Sequence, residues 1–194
     1  MTVQPVHDPR PLFARSLDQT ERQVAALCPD ELSNRTPCAD YDVRALLGHV
    51  VAVLHKIARV GAGADIRDAP DVIDGIDDDG WPGAVTRARG EVERVWADDQ
   101  MLDRMVTLPW ATLPGRAVLD AYTHEFTVHS WDLAHATDRL DELDPDLAAQ
   151  ALDAFPKFAP PEARSEQGPF GPVVPVPDDA DLYTRLAAYL GRKP

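Results

Sequence analysis

Four long segments of this chain carry apolar residues at the spacing of an α-helix, and this periodicity constrains the fold most strongly. Residues three and four apart share one side of a helix, so each segment presents an apolar stripe that must be buried. The segments start near Pro9, Val43, Pro82 and Arg116, and a shorter one follows Asp144. Because stripes of this kind bury one another, the sequence predicts an all-α four-helix bundle with additions.

Two of these helices are strongly apolar and are predicted at about 43–60 and 116–137. Asp42 suits the N-cap of the earlier helix, because a carboxylate accepts hydrogen bonds from the free N–H groups of the first turn. Gly61 suits its C-terminal stop, since glycine adopts the left-handed conformation without strain. The next stretch, 61–80, is acidic and rich in turn-forming residues, which predicts a long crossover loop.

A single domain is predicted over residues 1–194, because the parts on either side of the crossover are each too short to bury a core. Within it the bundle spans about 9–156, and its fifth helix is expected to stop before Pro156. The remaining stretch, 157–194, is proline-rich at first. It is predicted to be irregular until a short helix near its end.

The chain carries a net charge of −14, from 19 basic and 33 acidic residues. Such a charge repels phosphate backbones and anionic lipid headgroups, so neither nucleic acid nor a membrane surface is an expected partner. The most apolar stretch, 46–57, falls short of the roughly 20 residues that cross a bilayer. No secretory signal is recognisable at residues 1–13, and two cysteines, Cys28 and Cys38, are too few for a disulfide framework. A cytoplasmic location is therefore predicted.

The helix at 116–137 places two ligand-type side chains on its apolar face. Glu125 and His129 fall within the stripe that also contains Tyr122 and Phe126. A carboxylate and an imidazole one turn apart can converge on one point, and leaving either of them buried and unpaired is costly. A divalent metal ion would satisfy both groups. A hydrogen-bonded pair without metal is the alternative, because this spacing is common by chance.

A third ligand is expected from a facing helix, because two protein donors rarely suffice to hold an ion. His49 lies at the border of the apolar stripe at 43–60, and His55 lies at the opposite border. The hypothesis is therefore one metal ion bound by His49, Glu125 and His129, with His55 as the weaker candidate. Zinc is the expected ion for two imidazoles and a carboxylate, and nickel or iron would accept the same donors.

Two further residues near these motifs admit more than one role. Asp132 follows His129 by three residues and could orient its imidazole, although a capping or ion-pair role is the favoured alternative. Cys38 precedes the His49 helix, but no basic residue or histidine is placed to lower the pKa of its thiol. A buried structural thiol is therefore favoured over a nucleophile, and the sequence assigns no catalytic residue.

Two motifs together resemble a known family. They are T-P-C-x-x-Y-x-V-R-x-L-x-x-H at 36–49 and H-E-F-T-V-H-S-W-D-L-A at 124–134. Both are similar to the metal-binding domain of the mycothiol-dependent maleylpyruvate isomerases, which belong to the DinB-like bundle superfamily. The tail, G-P-V-V-P-V-P-D-D-A-D to R-L-x-x-Y-L-G-R at 171–192, resembles that of an actinobacterial branch of unassigned activity, without the isomerase's C-terminal domain.

The resemblance implies a DinB-like bundle in up-down-down-up order, with the loop at 61–80 as its long crossover. It also implies a zinc-like ion held by His49, Glu125 and His129, with an open coordination position. Such an ion lowers the pKa of a bound thiol, and the thiol implied by the family is mycothiol.

Function is expected to differ from that of the isomerase itself, because the isomerase's C-terminal domain has no counterpart in this sequence. A thiol S-transferase or isomerase acting on a small electrophile fits the implied site. A metal-binding or sensing helical bundle without turnover, in one version a homodimer, fits it equally well.

Overall fold

Helices dominate the structure, a computed structural model that describes residues 7–164 and 170–194. Over those residues the strands form one two-stranded antiparallel hairpin, so the all-α prediction is confirmed. None of the helices in this described part is both long and apolar enough to cross a membrane. In chain order the elements are α1 (Arg10–Ala25), α2 (Val43–Gly61), α3 (Trp81–Trp96), α4 (Gln100–Asp103), β1 (Met105–Thr107), β2 (Thr112–Pro114), α5 (Gly115–Ala136), α6 (Pro145–Phe158) and α7 (Leu182–Tyr189).

The four long helices α1, α2, α3 and α5 form the bundle. α1 packs against α5 and α3, while α2 packs against α3 and α5, so the four stripes enclose a common core. The crossover at 62–80 joins α2 to α3, as predicted. The largest fully buried side chains of this core include Leu17, Leu46, Leu54, Ile57, Trp96 and Phe126.

The ends of α2 agree with the sequence at one terminus and differ at the other. The Asp42 carboxylate accepts a hydrogen bond from the Ala45 N–H at 2.8 Å, which confirms the predicted N-cap. The prediction that Gly61 forms the left-handed stop is wrong, because this glycine is the last residue of the helix. A Cβ there would lie 2.8 Å from Trp96 Nε1, so glycine lets the end of α3 approach. The left-handed residue is Gly63, with a φ of +84°.

The crossover is pinned to α2 directly beside His49. The N–H of Ile73 donates to the carbonyl oxygen of Gly48 at 3.0 Å. A Cβ at Gly48 would lie 2.5 Å from the Ile73 carbonyl oxygen, so only glycine allows this approach. A loop that is long in sequence is therefore fixed in place where it passes the candidate site.

α5 is buried on two sides, whereas its periodicity predicts one buried stripe. One side joins the bundle core, and the other packs under α6 and α7. His124, on this second side, is 7% exposed and contacts the rings of Phe155 and Phe158. A helical wheel of α5 cannot reveal the second layer, because the elements that form it come later in the chain. The buried residues of this layer include Val128, Trp131, Ala134, Leu143, Ala148, Ala151, Tyr183 and Leu186.

The predicted end of α6 is wrong, because the helix continues through Pro156 to Phe158. A proline in the last turns removes one N–H donor but leaves the earlier turns intact. α7 begins after Asp181, whose carboxylate accepts from two N–H groups of its first turn. Two stretches used in the sequence analysis lie outside the described residues, namely 165–169 of the irregular segment and 1–6 of the N-terminus.

Candidate metal centre

Helices α2 and α5 bring His49, Glu125 and His129 together. The distances from Glu125 Oε1 are 3.2 Å to His49 Nε2 and 3.4 Å to His129 Nε2. The ligand-type atoms of the three residues all lie within 4.8 Å of one another. The two imidazole rings meet edge to face, with centroids 5.1 Å apart. Both Nε2 atoms therefore face one carboxylate oxygen.

The rotation of α5 in the bundle sets the direction of two of these side chains. Glu125 and His129 are one turn apart and so project from the same side of the helix. Phe126, between them in sequence, is buried and packs edge to face on Phe13 of α1, with centroids 6.0 Å apart. This aromatic contact fixes which side of α5 faces α2.

His49 is held from the crossover loop. Its Nδ1 lies 2.8 Å from the backbone carbonyl oxygen of Asp71, and the Tyr41 ring stacks on it with centroids 5.0 Å apart. A carbonyl oxygen only accepts hydrogen bonds, so Nδ1 carries the proton and donates. In the neutral ring, the lone pair of Nε2 then points towards Glu125.

His129 is held by a buried ion pair. Its Nδ1 lies 3.0 Å from Asp132 Oδ2, and Asp132 is fully buried. Arg192, from the segment after α7, donates to both oxygens of that carboxylate. Burial opposes ionisation of Asp132, but the hydrogen bond from His129 and the charge of Arg192 outweigh it and lower the pKa. His129 Nδ1 therefore also donates, in this case to a carboxylate.

Glu125 and His129 perturb each other's ionisation. Burial alone would raise the pKa of Glu125, but the charge of His129 and hydrogen bonds from both histidines outweigh burial and lower this pKa. Burial alone would lower the pKa of His129, but the charge of Glu125 and the bond to Asp132 raise it to about 9. In the metal-free protein a proton is thus held strongly beside this carboxylate.

The contact of Glu125 with the two rings requires a cation. With each Nδ1 donating, a neutral ring presents its Nε2 lone pair to a carboxylate oxygen 3.2 or 3.4 Å away, which is repulsive. A proton on Nε2 or a metal ion between the atoms removes this repulsion. A tetrahedral zinc ion with bonds of about 2.0–2.1 Å separates its donors by about 3.3–3.4 Å. The spacing of the donors therefore fits an ion.

The centre opens to solvent on the side of Glu125. The Glu125 side chain is 37% exposed, against 14% for His49 and 8% for His129. Among the residues that the structure describes, no fourth donor joins these three atoms. A metal held here would keep a position free for a thiol or water, which is typical of catalytic zinc sites.

Cys38 and His55 lie differently from the three candidate ligands. Cys38 Sγ is within 4.8 Å of ligand-type atoms of His129 and Asp132. The charge of Arg192 acts to lower the pKa of this thiol, so the prediction that no basic residue is placed to do so is wrong, although that effect is outweighed. The thiol is half-buried, and burial together with the charge of Asp132 raises its pKa to about 11. It therefore does not supply a thiolate near neutral pH. His55, six positions after His49 on α2, does not join the cluster.

Three contributors to the site were not predicted as site residues from the sequence, namely Tyr41, the carbonyl of Asp71 and Arg192. A backbone carbonyl carries no signature of its own in a sequence. Gly48 is nevertheless a usable signal, because a glycine inside an apolar helix often marks close approach of another backbone. Tyr41 and Arg192 each belong to a quoted motif, but their partners are set by tertiary packing.

Comparison with known proteins agrees with this architecture. Residues 13–134 match the family model described as the mycothiol maleylpyruvate isomerase N-terminal domain. The matched segment contains all three candidate ligands and most of the four bundle helices. α6 and α7, which cover the second side of α5, lie beyond it.

Two similar proteins, each described as an uncharacterized protein, come from two strains of Mycobacterium tuberculosis. Each is 29% identical over 185 residues, which is 95% of this chain and 98% of theirs. Crystal structures of the mycothiol-dependent maleylpyruvate isomerase and of a histidine-to-alanine mutant of it match with TM-scores of 0.56 and 0.57 at 14% identity. These matches cover 69% of this chain and 63% of the isomerase chain, and they show a shared fold.

Proposed function

The chain belongs to the mycothiol maleylpyruvate isomerase N-terminal domain family, and on this basis we propose that it is a metal-dependent enzyme that uses a thiol. His49, Glu125 and His129 bind the ion, which is zinc in our proposal, with nickel or iron as the alternatives. The cosubstrate is a mycothiol-type thiol. The reaction is S-transfer to a small electrophile, or thiol-assisted isomerisation of it.

One observation carries this proposal: both Nε2 atoms face one carboxylate oxygen while both Nδ1 atoms donate elsewhere. In an ordinary histidine–carboxylate pair the imidazole adopts the tautomer whose N–H faces the carboxylate. Here the acceptors on Asp71 and Asp132 favour the opposite tautomer in both rings. Two converging lone pairs and a carboxylate are a donor set for a divalent ion.

The charges around the centre suit thiol chemistry. A bound divalent ion lowers the pKa of a coordinated thiol, so that thiolate forms near neutral pH. With neutral histidines, the single charge of Glu125 leaves a net positive charge at the ion, while Asp132 and Arg192 cancel each other. Tyr122 keeps its proton, because burial and the charge of Glu125 raise its pKa to about 12. It therefore does not act as a base near neutral pH.

A metal-binding or sensing bundle without turnover, monomeric or homodimeric, is the second candidate. The match to the solved isomerases reaches only 63% of their length, and a shared fold does not by itself carry an activity over. The two candidates share the metal site and differ in turnover. Metal content and turnover are therefore measured separately.

Metal content tests the site. We expect about one zinc per chain in protein purified without added metal, and much less in His49→Ala and His129→Ala. His55→Ala is the matched control, because His55 lies on the same helix outside the cluster. It should keep the parental metal content. A parent protein with no metal and no measurable affinity for Zn²⁺ would refute the site.

Turnover tests the enzyme. The protein is incubated with mycothiol and a panel of small electrophiles. Conjugates and isomerised products are then identified by mass spectrometry. We expect products that disappear with a chelator and return when zinc is added. A parent that binds one ion but gives no metal-dependent product across the panel would favour the second candidate.

A further inference from the structure

The segment that follows α7 reaches back to the candidate metal centre through Arg192. Its guanidinium donates from Nε to Asp132 Oδ1 at 2.7 Å and from Nη2 to Oδ2 at 2.8 Å. The Arg192 side chain is 13% exposed and Asp132 is fully buried, so both charges are largely removed from water. Arg192 also lies outside the 13–134 segment that matches the family model. The sequence motifs around the ligands therefore do not include it.

A helix C-cap sets the position of Arg192. The Arg192 N–H donates to the Ala187 carbonyl at 3.0 Å, and the Gly191 N–H donates to the Ala188 carbonyl at 3.1 Å, which is a Schellman motif. Gly191 has a φ of +83°, and a Cβ there would lie 2.7 Å from the Cα of Gly171. The turn therefore requires glycine. It directs the next residue inward towards α5.

We propose that Arg192 is a positioning residue of the metal centre and acts through Asp132 on His129. The two hydrogen bonds fix the plane of the Asp132 carboxylate, so that Oδ2 stays 3.0 Å from His129 Nδ1. That bond selects the tautomer whose Nε2 lone pair faces Glu125. The inference rests on the proposed metal site and extends it to the last helix of the chain.

A purely structural pair would attach α7 to α5 without affecting the ligand. The geometry favours positioning, because Asp132 Oδ2 accepts from both Arg192 Nη2 and His129 Nδ1. A displacement of the carboxylate is thus transmitted to the imidazole. Lysine could not replace the guanidinium, since one ammonium group cannot present two donors in a fixed plane to both oxygens.

Three variants separate positioning from attachment. Arg192→Met removes the charge and the paired donors, Arg192→Lys keeps only the charge, and Arg185→Met changes an exposed arginine within α7. Zinc affinity is measured by competition with a chromophoric chelator, and the absorption bands of bound Co²⁺ report the ligand geometry. We expect Arg192→Met to lose zinc affinity roughly 10–100-fold with altered cobalt bands. Arg192→Lys should lose less, and Arg185→Met should behave as the parent.

Unchanged zinc affinity and unchanged cobalt bands in folded Arg192→Met would overturn the inference. If Arg192→Met does not fold, Arg192→Lys decides, because it keeps the charge that compensates Asp132. Parental affinity and parental cobalt bands in Arg192→Lys would then show that the paired donors are not required.

A metal-free measurement separates this test from that of the proposed function. In the metal-free protein the ¹H and ¹⁵N resonances of His129 report the hydrogen bond that Nδ1–H donates, because donation to a carboxylate moves the Nδ1–H signal downfield. We expect that signal in the parent and in Arg185→Met, and its displacement or loss in both Arg192 variants. If the parent binds no zinc, the proposed function fails. The positioning of His129 by Arg192 then stands or falls on this signal alone.

Discussion

His49 and His129 present the same atom to the same carboxylate oxygen, but the protein holds the two rings in different ways. His49 donates to the carbonyl of Asp71, a neutral group that belongs to the crossover loop. His129 donates to the carboxylate of Asp132, a buried charge compensated by Arg192. One ring is therefore fixed by the path of the backbone and the other by buried charges.

This difference determines which changes disturb each ring. Substituting a side chain does not remove a backbone carbonyl, so the support of His49 fails only where the loop is displaced. The support of His129 fails when Asp132 is removed, and Arg192 then loses its counter-charge as well. A carboxylate also makes the imidazole that it binds more basic, which adds a dependence on pH.

The largest effect is expected from Asp132→Ala. It leaves Arg192 buried without a counter-charge and His129 without an acceptor, which should cost about 3–5 kcal/mol of unfolding free energy. Urea unfolding of the metal-free protein, followed by circular dichroism, measures this loss. The double variant with Arg192→Met removes both charges and should recover much of it. A loss under about 1 kcal/mol would mean that Asp132 does not compensate the buried charge of Arg192, contrary to the geometry of their contact.

The pH dependence of the unfolding free energy, measured on the metal-free protein, reports on His129, the ring that donates to a carboxylate. The pKa of His129 is raised from 6.5 to about 9, so the folded state binds this proton more tightly than the unfolded state. The resulting stability is fully present below pH 6.5 and is lost as the pH rises through about 9. We expect urea titrations to show a loss on the order of 3 kcal/mol. The zinc-loaded parent and metal-free His129→Gln should lack it, and equal profiles for metal-free parent and variant would contradict the assignment.

Displacement of the crossover loop tests how His49 is held, since this ring donates to a backbone carbonyl of that loop. In Gly48→Ala the new Cβ would lie 2.5 Å from the Ile73 carbonyl oxygen, so the loop must move and carry the Asp71 carbonyl with it. We expect a loss of about 1–3 kcal/mol in unfolding free energy and a zinc affinity lower by about tenfold. Gly90→Ala is the control, because nothing lies within 4 Å of its Cβ. It should stabilise α3 by about 0.5–1 kcal/mol. Parental zinc affinity in Gly48→Ala would show that His49 does not depend on the loop.

The smallest effect is expected from Asp71→Ala, which keeps the backbone carbonyl that holds His49. The substitution removes only the ion pair of Asp71 with Lys56 at 2.5 Å, in which the Asp71 side chain is 80% exposed. We expect a loss under about 1 kcal/mol that shrinks further in added salt, together with unchanged zinc affinity. A large loss of zinc affinity would instead show that the side chain anchors this part of the loop.

Helical periodicity was sufficient to predict the bundle and to select Glu125 and His129, because both depend on residues close in sequence. It also placed His49 at the edge of a buried stripe, which is where a ligand shared between two helices must lie. It could not reveal the second buried side of α5. That side is buried because α6 and α7 pack against it. Neither the matched motifs nor a helical wheel predicts where these two helices pack.

The groups behind the two imidazoles were harder to predict for separate reasons. The acceptor for His49 is a main-chain atom, so the identity of residue 71 carries no information about it. Asp132 was a visible candidate, but the choice between orienting an imidazole and forming an ion pair was posed as an alternative. The structure combines both contacts in one carboxylate, because Arg192 and His129 approach it together.

The pairing of Asp132 with Arg192 also has a consequence for biosynthesis. The two residues are 60 positions apart, so at roughly 5–20 residues per second the arginine is added about 3–12 s after the aspartate. During that interval the nascent helix α5 carries a carboxylate that cannot be buried without a large cost. We therefore expect this part of α5 to stay hydrated on the ribosome until the last helix emerges. In the proposed metal-binding function, acquisition of the ion would then follow synthesis of a segment that contributes no ligand.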